Sequence, residues 1–257
     1  MMYSDLLLPL LPTFCFFVFE QIKINQHLLL RKRELNLFLI GVMAIGISII
    51  FSDYCLKTLV DFYDHFTLMS LSEVSIPRIL SITISILVMD FTQYLVHRIN
   101  HKIPLMWRLH RLHHSDKSVD AFTNLLHHPV EVFLNSTLVI AFYVIFDIPV
   151  ILITNFAVFS MIHSAFSHNR ILIPEKIERY LRYIIITPNT HRIHHAKDLI
   201  EGNSNFGSVF PFWDMLLGTY MHKDILEVNK TDFGISSTQS PPTYSIKNLL
   251  INPFIHS

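Results

Sequence analysis

Residues 77–101 read PRILSITISILVMDFTQYLVHRINH. The first 20 of these, 77–96, are apolar enough and long enough to cross a bilayer, since about 20 helical residues span the hydrocarbon core. The segment then runs straight into His97 and His101. Asp90, Tyr94, His97 and His101 are spaced 4, 3 and 4, which on a helix makes one stripe. An acid inside a span is costly and marks either a functional position or a polar contact between helices. A metal-bound imidazole commonly donates its other N–H to a carboxylate, so Asp90 is a candidate to support His97, with Tyr94 as a relay.

Three more apolar stretches accompany this one. Residues 5–19, DLLLPLLPTFCFFVF, are short and hold two prolines. They lack a basic leading region and a small-residue cleavage site, so they read as a membrane anchor, either spanning or interfacial, rather than a signal peptide. Residues 35–51, LNLFLIGVMAIGISIIF, carry no charge. Residues 132–162, VFLNSTLVIAFYVIFDIPVILITNFAVFSMI, are too long for one ordinary span and are broken by Asp147 and Pro149, which predicts a helical hairpin. The fold expected is an all-α integral membrane protein with about four transmembrane helices, the hairpin included, and a cytoplasmic histidine-rich helical cap. The loop at 20–34 holds Lys23, Arg31, Lys32 and Arg33, whereas the loop at 52–76 holds Lys57 alone beside Asp53, Asp61, Asp64 and Glu73. The positive-inside rule then puts the first loop in the cytoplasm and delivers residues 97–131 and 163–257 to that same side.

Composition agrees. Of 257 residues, 51% are hydrophobic and 16% charged, against about 25% charged in soluble domains. Net charge is zero, so nothing draws the chain to nucleic acid. Two cysteines, Cys15 and Cys55, exclude a disulfide framework or a thiolate zinc finger. The 16 histidines nearly match the 20 lysines and arginines, and they are not scattered.

WRLHRLHHSDKS, residues 107–118, places His110, His113 and His114 as H-x-x-H-H. NTHRIHHAKD, residues 189–198, repeats the spacing with His191, His194 and His195. Residues i, i+3 and i+4 share a helix face, so each group is able to aim its imidazoles at one spot. TPNT at 187–190 supplies a helix start, with Asn189 or Thr190 as cap. With His97 and His101 the groups make eight histidines on one side of the membrane. One metal takes about four protein donors, so two metals sharing a site is the economical count. Imidazole suits iron, zinc, copper and nickel. Neither H-x-x-H-H group contains the acid that a hydrolytic H-E-x-x-H site uses, which points toward oxygen chemistry on a lipid.

H-x3-H followed by two H-x2-H-H motifs resembles the eight-histidine pattern of the fatty acid hydroxylase/sterol desaturase superfamily. The similarity extends over residues 78–222 and includes DFTQYLVHRINH, HPVE at 128–131, NSNFGS, FWDMLLGTY, and SHNRILIP, in which Ser167 and His168 stand in reversed order. The resemblance implies a membrane enzyme that hydroxylates or desaturates a lipid such as a fatty acyl chain or sterol. It implies two iron ions, with zinc as a substitute, O₂ as co-substrate, and His97, His101, His110, His113, His114, His191, His194 and His195 as ligands. His168 is the first choice for a ninth, and His163 and His128 follow. The corresponding division is 1–76 as N-terminal anchor helices, 77–222 as the catalytic domain and 223–257 as a C-terminal cytoplasmic tail, Pro/Ser/Thr-rich and loosely wrapped. The chain shows no haem-binding HPGG and no G-x-G-x-x-G, so electrons are expected from an external ferredoxin, cytochrome b5 or reductase. A zinc-dependent lipid hydrolase on the same scaffold would show no O₂ uptake. A histidine-rich metal transporter would need polar ligands along several spans, where only Asp90 and Asp147 occur. A catalytically dead scaffold would have no use for the whole motif set.

Overall fold

The stripe at 90–101 lies on one uninterrupted helix. The computed structural model describes residues 10–24, 31–63, 76–236, 239, 241 and 243–255; for 52, 53 and 55–63 it describes the backbone alone. Among the described residues three helices are long and apolar enough to cross a membrane. They are the first part of α2 (Lys32–Tyr63), namely Lys32–Phe51, then α3 (Arg78–Lys102), and α6 (Val150–Ser167). A shorter apolar helix, α5 (Pro129–Ile145), forms the expected hairpin with α6. Its turn is made by Asp147, at φ 47, and Pro149 caps the returning helix. Among the described residues there is no β-strand, only an isolated bridge between Ala196 and Phe233.

Of the two readings of the N-terminal segment, spanning or interfacial, the described helix is too short for the first. Helix α1 (Leu11–Lys23) has 13 residues, about 20 Å of helix, too short for a core of about 30 Å. Proline in its first turn fixes where it begins. It packs rather than spans, burying Thr13, Phe17, Glu20 and Gln21. Residues 1–9 lie outside the described residues. The loop expected at 52–76 is helical as far as Tyr63, because α2 continues past its apolar part; residues 64–75, with Asp64 and Glu73, lie outside the described residues.

Two apolar cores position everything else. One joins Phe17 of α1, Leu37 and Ile40 of α2, Leu112 of α4 (Pro104–His114) and Leu249 of α11 (Ile246–Ile255). Phe122, from a 3₁₀ turn at Ala121–Leu125, sits against Phe17 with ring centroids 4.8 Å apart. The other joins Met89 of α3, Tyr143 of α5, Phe156 of α6 and Val209. The α2 and α5 helices approach closely enough for Phe51 and Phe133 to contact at 4.0 Å and for Ser48 and Ser136 to share a 2.9 Å hydrogen bond.

The C-terminal segment carries a helix packed on the first core. Helix α11 buries Leu249 and Asn252, and its carbonyls accept from three basic side chains. Arg108 Nε reaches Pro253 O at 3.0 Å, Arg111 reaches Asn252 O at 3.3 Å, and His128 Nε2 reaches Leu250 O at 3.1 Å. The apolar spacing of LLINPFI at 249–255 outweighs the polar stretch before it.

Arg33, at the start of α2, ties the segment after α4 to the membrane helices. Its guanidinium pairs with Asp116, with Asp120 at 2.8 Å and with Glu34 at 3.1 Å, and Tyr244 donates to Asp116 at 3.0 Å. Both aspartates are buried. Removing one partner of a buried charge network strands the other charges and costs about 3–5 kcal/mol. Arg33→Met should therefore lower the thermal midpoint in detergent by several degrees. A midpoint equal to wild type would show that the network carries no net stability.

Glu20 offers a pH-resolved test. Its Oε1 accepts from the backbone N–H of Ala121 (3.1 Å) and of Arg170 (2.7 Å), and Oε2 is buried without a partner. Burial, with Asp120 nearby, pushes its carboxyl up to about 8 from 4.5. A raised native value means that the folded state holds the proton more tightly, so stability from this group is complete below pH 4.5 and is lost as pH rises through 8. Glu20→Gln keeps the Oε1 acceptor and removes the ionisation. Denaturation at acid pH should distinguish the two proteins little, whereas above pH 8 the variant should be the more stable; parallel curves throughout would refute the assignment.

Candidate metal centre

Three helix ends and one loop converge beneath the cap. Helix α3 ends with His97 and His101. Ile103 is extended, as a residue before proline prefers, and Pro104 starts α4 at once, so the chain turns back and brings His110, His113 and His114 beside them. Helix α8 (Pro188–His194) brings His191 and His194, with His195 as its C-terminal cap residue. Its N-cap is Thr187, not Asn189 or Thr190: the Thr187 hydroxyl accepts from Thr190 N at 3.2 Å and donates to Glu178 at 2.7 Å. Asn189 instead holds both the N–H and the carbonyl of Ile173. Helix α6 ends at Ser167, and His168 follows it.

The nine imidazoles sort into two groups. His97, His101, His110, His114 and His194 form one; His113, His168, His191 and His195 form the other. Within each, the candidate ligand atoms all lie within 4.8 Å of one another. The sorting corrects the simple expectation that each motif aims at one spot. The i, i+4 pairs 97/101, 110/114 and 191/195 stay together, while the middle histidines His113 and His194 cross to the opposite group. Each H-x-x-H-H motif therefore serves both.

Hydrogen bonds fix which nitrogen faces inward. A carbonyl only accepts, so His97 Nδ1 donates to Phe206 O (2.9 Å), His194 Nδ1 to Ser204 O (2.8 Å) and His168 Nδ1 to Ser164 O (2.7 Å). His110 Nδ1 sits 2.7 Å from Glu131 Oε1. The opposite nitrogen, Nε2, is then left as a lone-pair donor. In the first group all five Nε2 atoms are buried without a hydrogen-bond partner. In the second, His168 Nε2 lies 3.1, 3.0 and 3.2 Å from Nε2 of His113, His191 and His195. Nitrogens bound to one ion at about 2.0–2.1 Å stand about 3.0–3.4 Å apart, so this spacing fits a shared cation. Burial, and then the neighbouring imidazoles, hold His113, His114, His191 and His195 well below the ordinary value, and His168 and His194 at about 3. Neutral rings are the form that binds metals.

The segment that supplies the Phe206 and Ser204 carbonyls is itself held firmly. Asp214 accepts from the N–H of Phe206 (2.8 Å) and Gly207 (2.7 Å). A side chain at Gly207 would meet Phe210 O at 2.7 Å. Asn205, at φ 53, links Thr190 O, Met221 O and Met221 N through its side-chain amide.

The fatty acid hydroxylase family model matches residues 82–219, a stretch that contains all nine histidines. The chain belongs to the fatty acid hydroxylase family. Within it, the ornithine lipid hydroxylase OlsE of Rhizobium tropici is 30% identical over 164 residues, 62% of this chain and 47% of that protein. The alkylglycerol monooxygenases of Xenopus tropicalis and Homo sapiens are 27% and 25% identical over 134 and 131 residues, 51% of this chain and 28% of each relative. The aligned part is thus less than half of each relative's length. No solved structure matches the chain.

Among the other residues singled out from sequence, His128 and His163 stay outside both histidine groups. His128 caps α5, accepting from Val130 N at 3.1 Å, and His163 is buried beside Phe166. Asp90 does not reach His97. It accepts from Val209 N (3.0 Å), Phe210 N (3.4 Å) and Trp213 Nε1 (2.9 Å), and Tyr94 pairs with Thr219 (3.0 Å) and Arg98 (3.2 Å). The expected relay is absent because His97 is already satisfied by Phe206 O. Asp90 acts one step removed, anchoring the loop that carries that carbonyl.

Two residues of this family member escaped sequence reading. Glu131 is fully buried, with Oε1 on His110 and, at 3.0 Å, on His127 Nδ1. His127 stacks on His113 at 4.2 Å. Glu131 lies in HPVE, three residues past the cap of α5, and that position was its signal. Loss of a carboxylate that orients a metal-binding imidazole typically weakens metal affinity 10–100-fold. Glu131→Gln should lower retained metal against a chelator by that order, read by elemental analysis. Full retention would place Glu131 in packing alone.

Proposed function

We propose that this chain is a multi-pass membrane hydroxylase that uses O₂ to oxidise a C–H bond of a lipid. The observation that carries the reading is the pair of imidazole groups: the five inward Nε2 atoms of the first are buried without a partner, and the four of the second contact one another. His97, His101, His110, His114 and His194 would hold one iron ion, and His113, His168, His191 and His195 a second. Bound, the ions would supply the activation of O₂. Hydroxylation consumes O₂, two electrons and two protons; one oxygen enters the C–H bond and the other leaves as water. Hydroxylation rather than desaturation is favoured because the relatives are named as hydroxylases and monooxygenases.

The chain's own residues prepare the site. The Phe206, Ser204 and Ser164 carbonyls keep His97, His194 and His168 in the tautomer whose Nε2 faces inward. Glu131 orients His110. Burial keeps the remaining rings neutral and excludes water. Electrons come from an external ferredoxin, cytochrome b5 or reductase. The basic residues Lys23, Arg31, Lys32 and Arg33 support a cytoplasmic site, which such donors reach directly.

Cells that express the protein, grown under isotopically labelled O₂, should accumulate a lipid heavier by one labelled oxygen. His110→Ala and His194→Ala should abolish that product while the protein still inserts in the membrane, because each removes a ligand from the five-histidine group. Full turnover by both variants, or an active enzyme that holds zinc and takes up no O₂, would remove this reading.

A further inference from the structure

Helix α7 (Glu175–Leu181) is inside out for a helix in water. The one residue it buries is a carboxylate, Glu178, which accepts from the Thr187 hydroxyl at 2.7 Å. Its Ile177 and Tyr180, with Tyr183 and Ile184 in the turn after it, are exposed. A water-facing helix instead buries its apolar stripe and exposes its charges. The exposed apolar side chains continue with Leu216 and Leu217 at the end of α9 (Phe212–Leu216). All six are 42% to 73% exposed. The two elements adjoin: Ile186 N donates to Val209 O at 2.8 Å, and Tyr183 stacks on Tyr220 with ring centroids 6.3 Å apart. An exposed apolar patch of this kind marks a surface that something covers.

Depth says what covers it. Trp213 of α9 donates to Asp90 at 2.9 Å, and Val209 N to the same carboxylate at 3.0 Å. Asp90 stands twelve residues along α3 from Arg78, about 18 Å into a core of about 30 Å. Ile185 and Phe210 pack on Met89, Tyr143 and Phe156, all of them in apolar helices. The patch therefore flanks the membrane helices at a level below His97. Irregular backbone enters that depth only with its polar groups paired inside the protein. The loop before α9 meets this condition, because Asp214 holds the N–H groups of Phe206 and Gly207, and Asp90 those of Val209 and Phe210. The rim has the chemistry of a membrane interface. Arg179 and Arg182 lie over the rings of Tyr180 and Tyr183, 4.6 and 5.4 Å from their centroids, and Lys176 is exposed on the same helix.

We propose that α7, the turn after it and α9 form a foot by which the histidine-bearing cap sits in the adjacent lipid leaflet. Ile184, Leu216 and Leu217 enter the acyl boundary, and Tyr180, Tyr183, Arg179 and Lys176 lie at headgroup level. The foot touches both sides of the metal centre. Its first part runs directly into Thr187, which caps α8, and its second follows the Ser204 and Phe206 carbonyls that orient His194 and His97. The leaflet thus holds the third histidine motif and its supporting loop at one depth, whatever chemistry the metal groups perform.

Spin-label depth measurement tests this in the full chain, with Cys15 and Cys55 replaced by serine and the protein reconstituted in vesicles of phosphatidylcholine and phosphatidylglycerol. Single cysteines at Tyr180, Ile184 or Leu216 carry a nitroxide. Its collisions with O₂, which concentrates among acyl chains, are compared with those with a water-soluble nickel chelate. Val158, exposed on α6, serves as the lipid reference and Lys230 as the water reference. The O₂-to-nickel ratio at Ile184 and Leu216 should match Val158 and exceed Lys230 several-fold, with Tyr180 between. Adding Leu216→Asp and Ile184→Asp should shift the Tyr180 label several-fold toward nickel, while the Val158 label stays unmoved because the spans remain inserted. A ratio at Ile184 and Leu216 equal to that at Lys230 would overturn the proposal. So would low collision with both reagents, which means that protein covers the patch; spin–spin broadening lost on dilution with unlabelled protein would then name a second copy as the cover. An unmoved Tyr180 label in the double aspartate variant would equally refute the foot.

Discussion

Nine imidazoles are packed so that their inward nitrogens crowd together in two groups. In the second group four of the nitrogen pairs lie 3.0–3.2 Å apart, a spacing at which two unprotonated nitrogens repel. Protonating the rings is no remedy, since burial opposes the charge and each neighbour adds to that opposition. A cation between the rings would relieve the arrangement. The fold supplies this crowd from four separate stretches of chain and holds His97, His110, His168 and His194 in orientation by hydrogen bonds from outside it.

That orientation is imposed from outside the cluster. Phe206 and Ser204 present carbonyls because Asp214 and Asn205 fix the segment between them, and Asp90 secures the next turn of chain against α3. The interleaving of the motifs then has a mechanical consequence. Because His113 and His194 each leave their own motif for the opposite group, neither α4 nor α8 is able to shift without disturbing both. A two-part site held by separate helices would tolerate such motion; one whose helices are shared between the parts does not.

The grouping of the eight motif histidines was legible in the sequence because i, i+4 spacing is a backbone property and needs no tertiary knowledge, whereas His168 was singled out by the family resemblance alone. Their division into five and four was not, since it depends on the angle at which α3, α4 and α8 cross. Asp90 was visible as an anomaly in an apolar span, yet its partner lies more than a hundred residues on, in a loop whose path no periodicity reveals. Glu131 looked like an ordinary residue in the first turn of a helix. The hairpin at Asp147 and Pro149 was readable because a charged residue beside proline interrupts a long apolar run. Helix α11 was masked by the polar stretch before it, and α1 fell short of a span although its composition is as greasy as one.

Membrane depth makes hydrogen-bond satisfaction unusually informative here. In a soluble protein an unpaired side chain often finds water. Along α3, α5 and α6 water is scarce, and the chain goes to some length to pair what it places there: Asp90 has three donors, Ser48 has Ser136, and Tyr143 reaches Met89 O at 3.4 Å. Against that background the open nitrogens of the histidine groups stand out. The five inward Nε2 atoms of the first group are open atoms that a bound ion would complete.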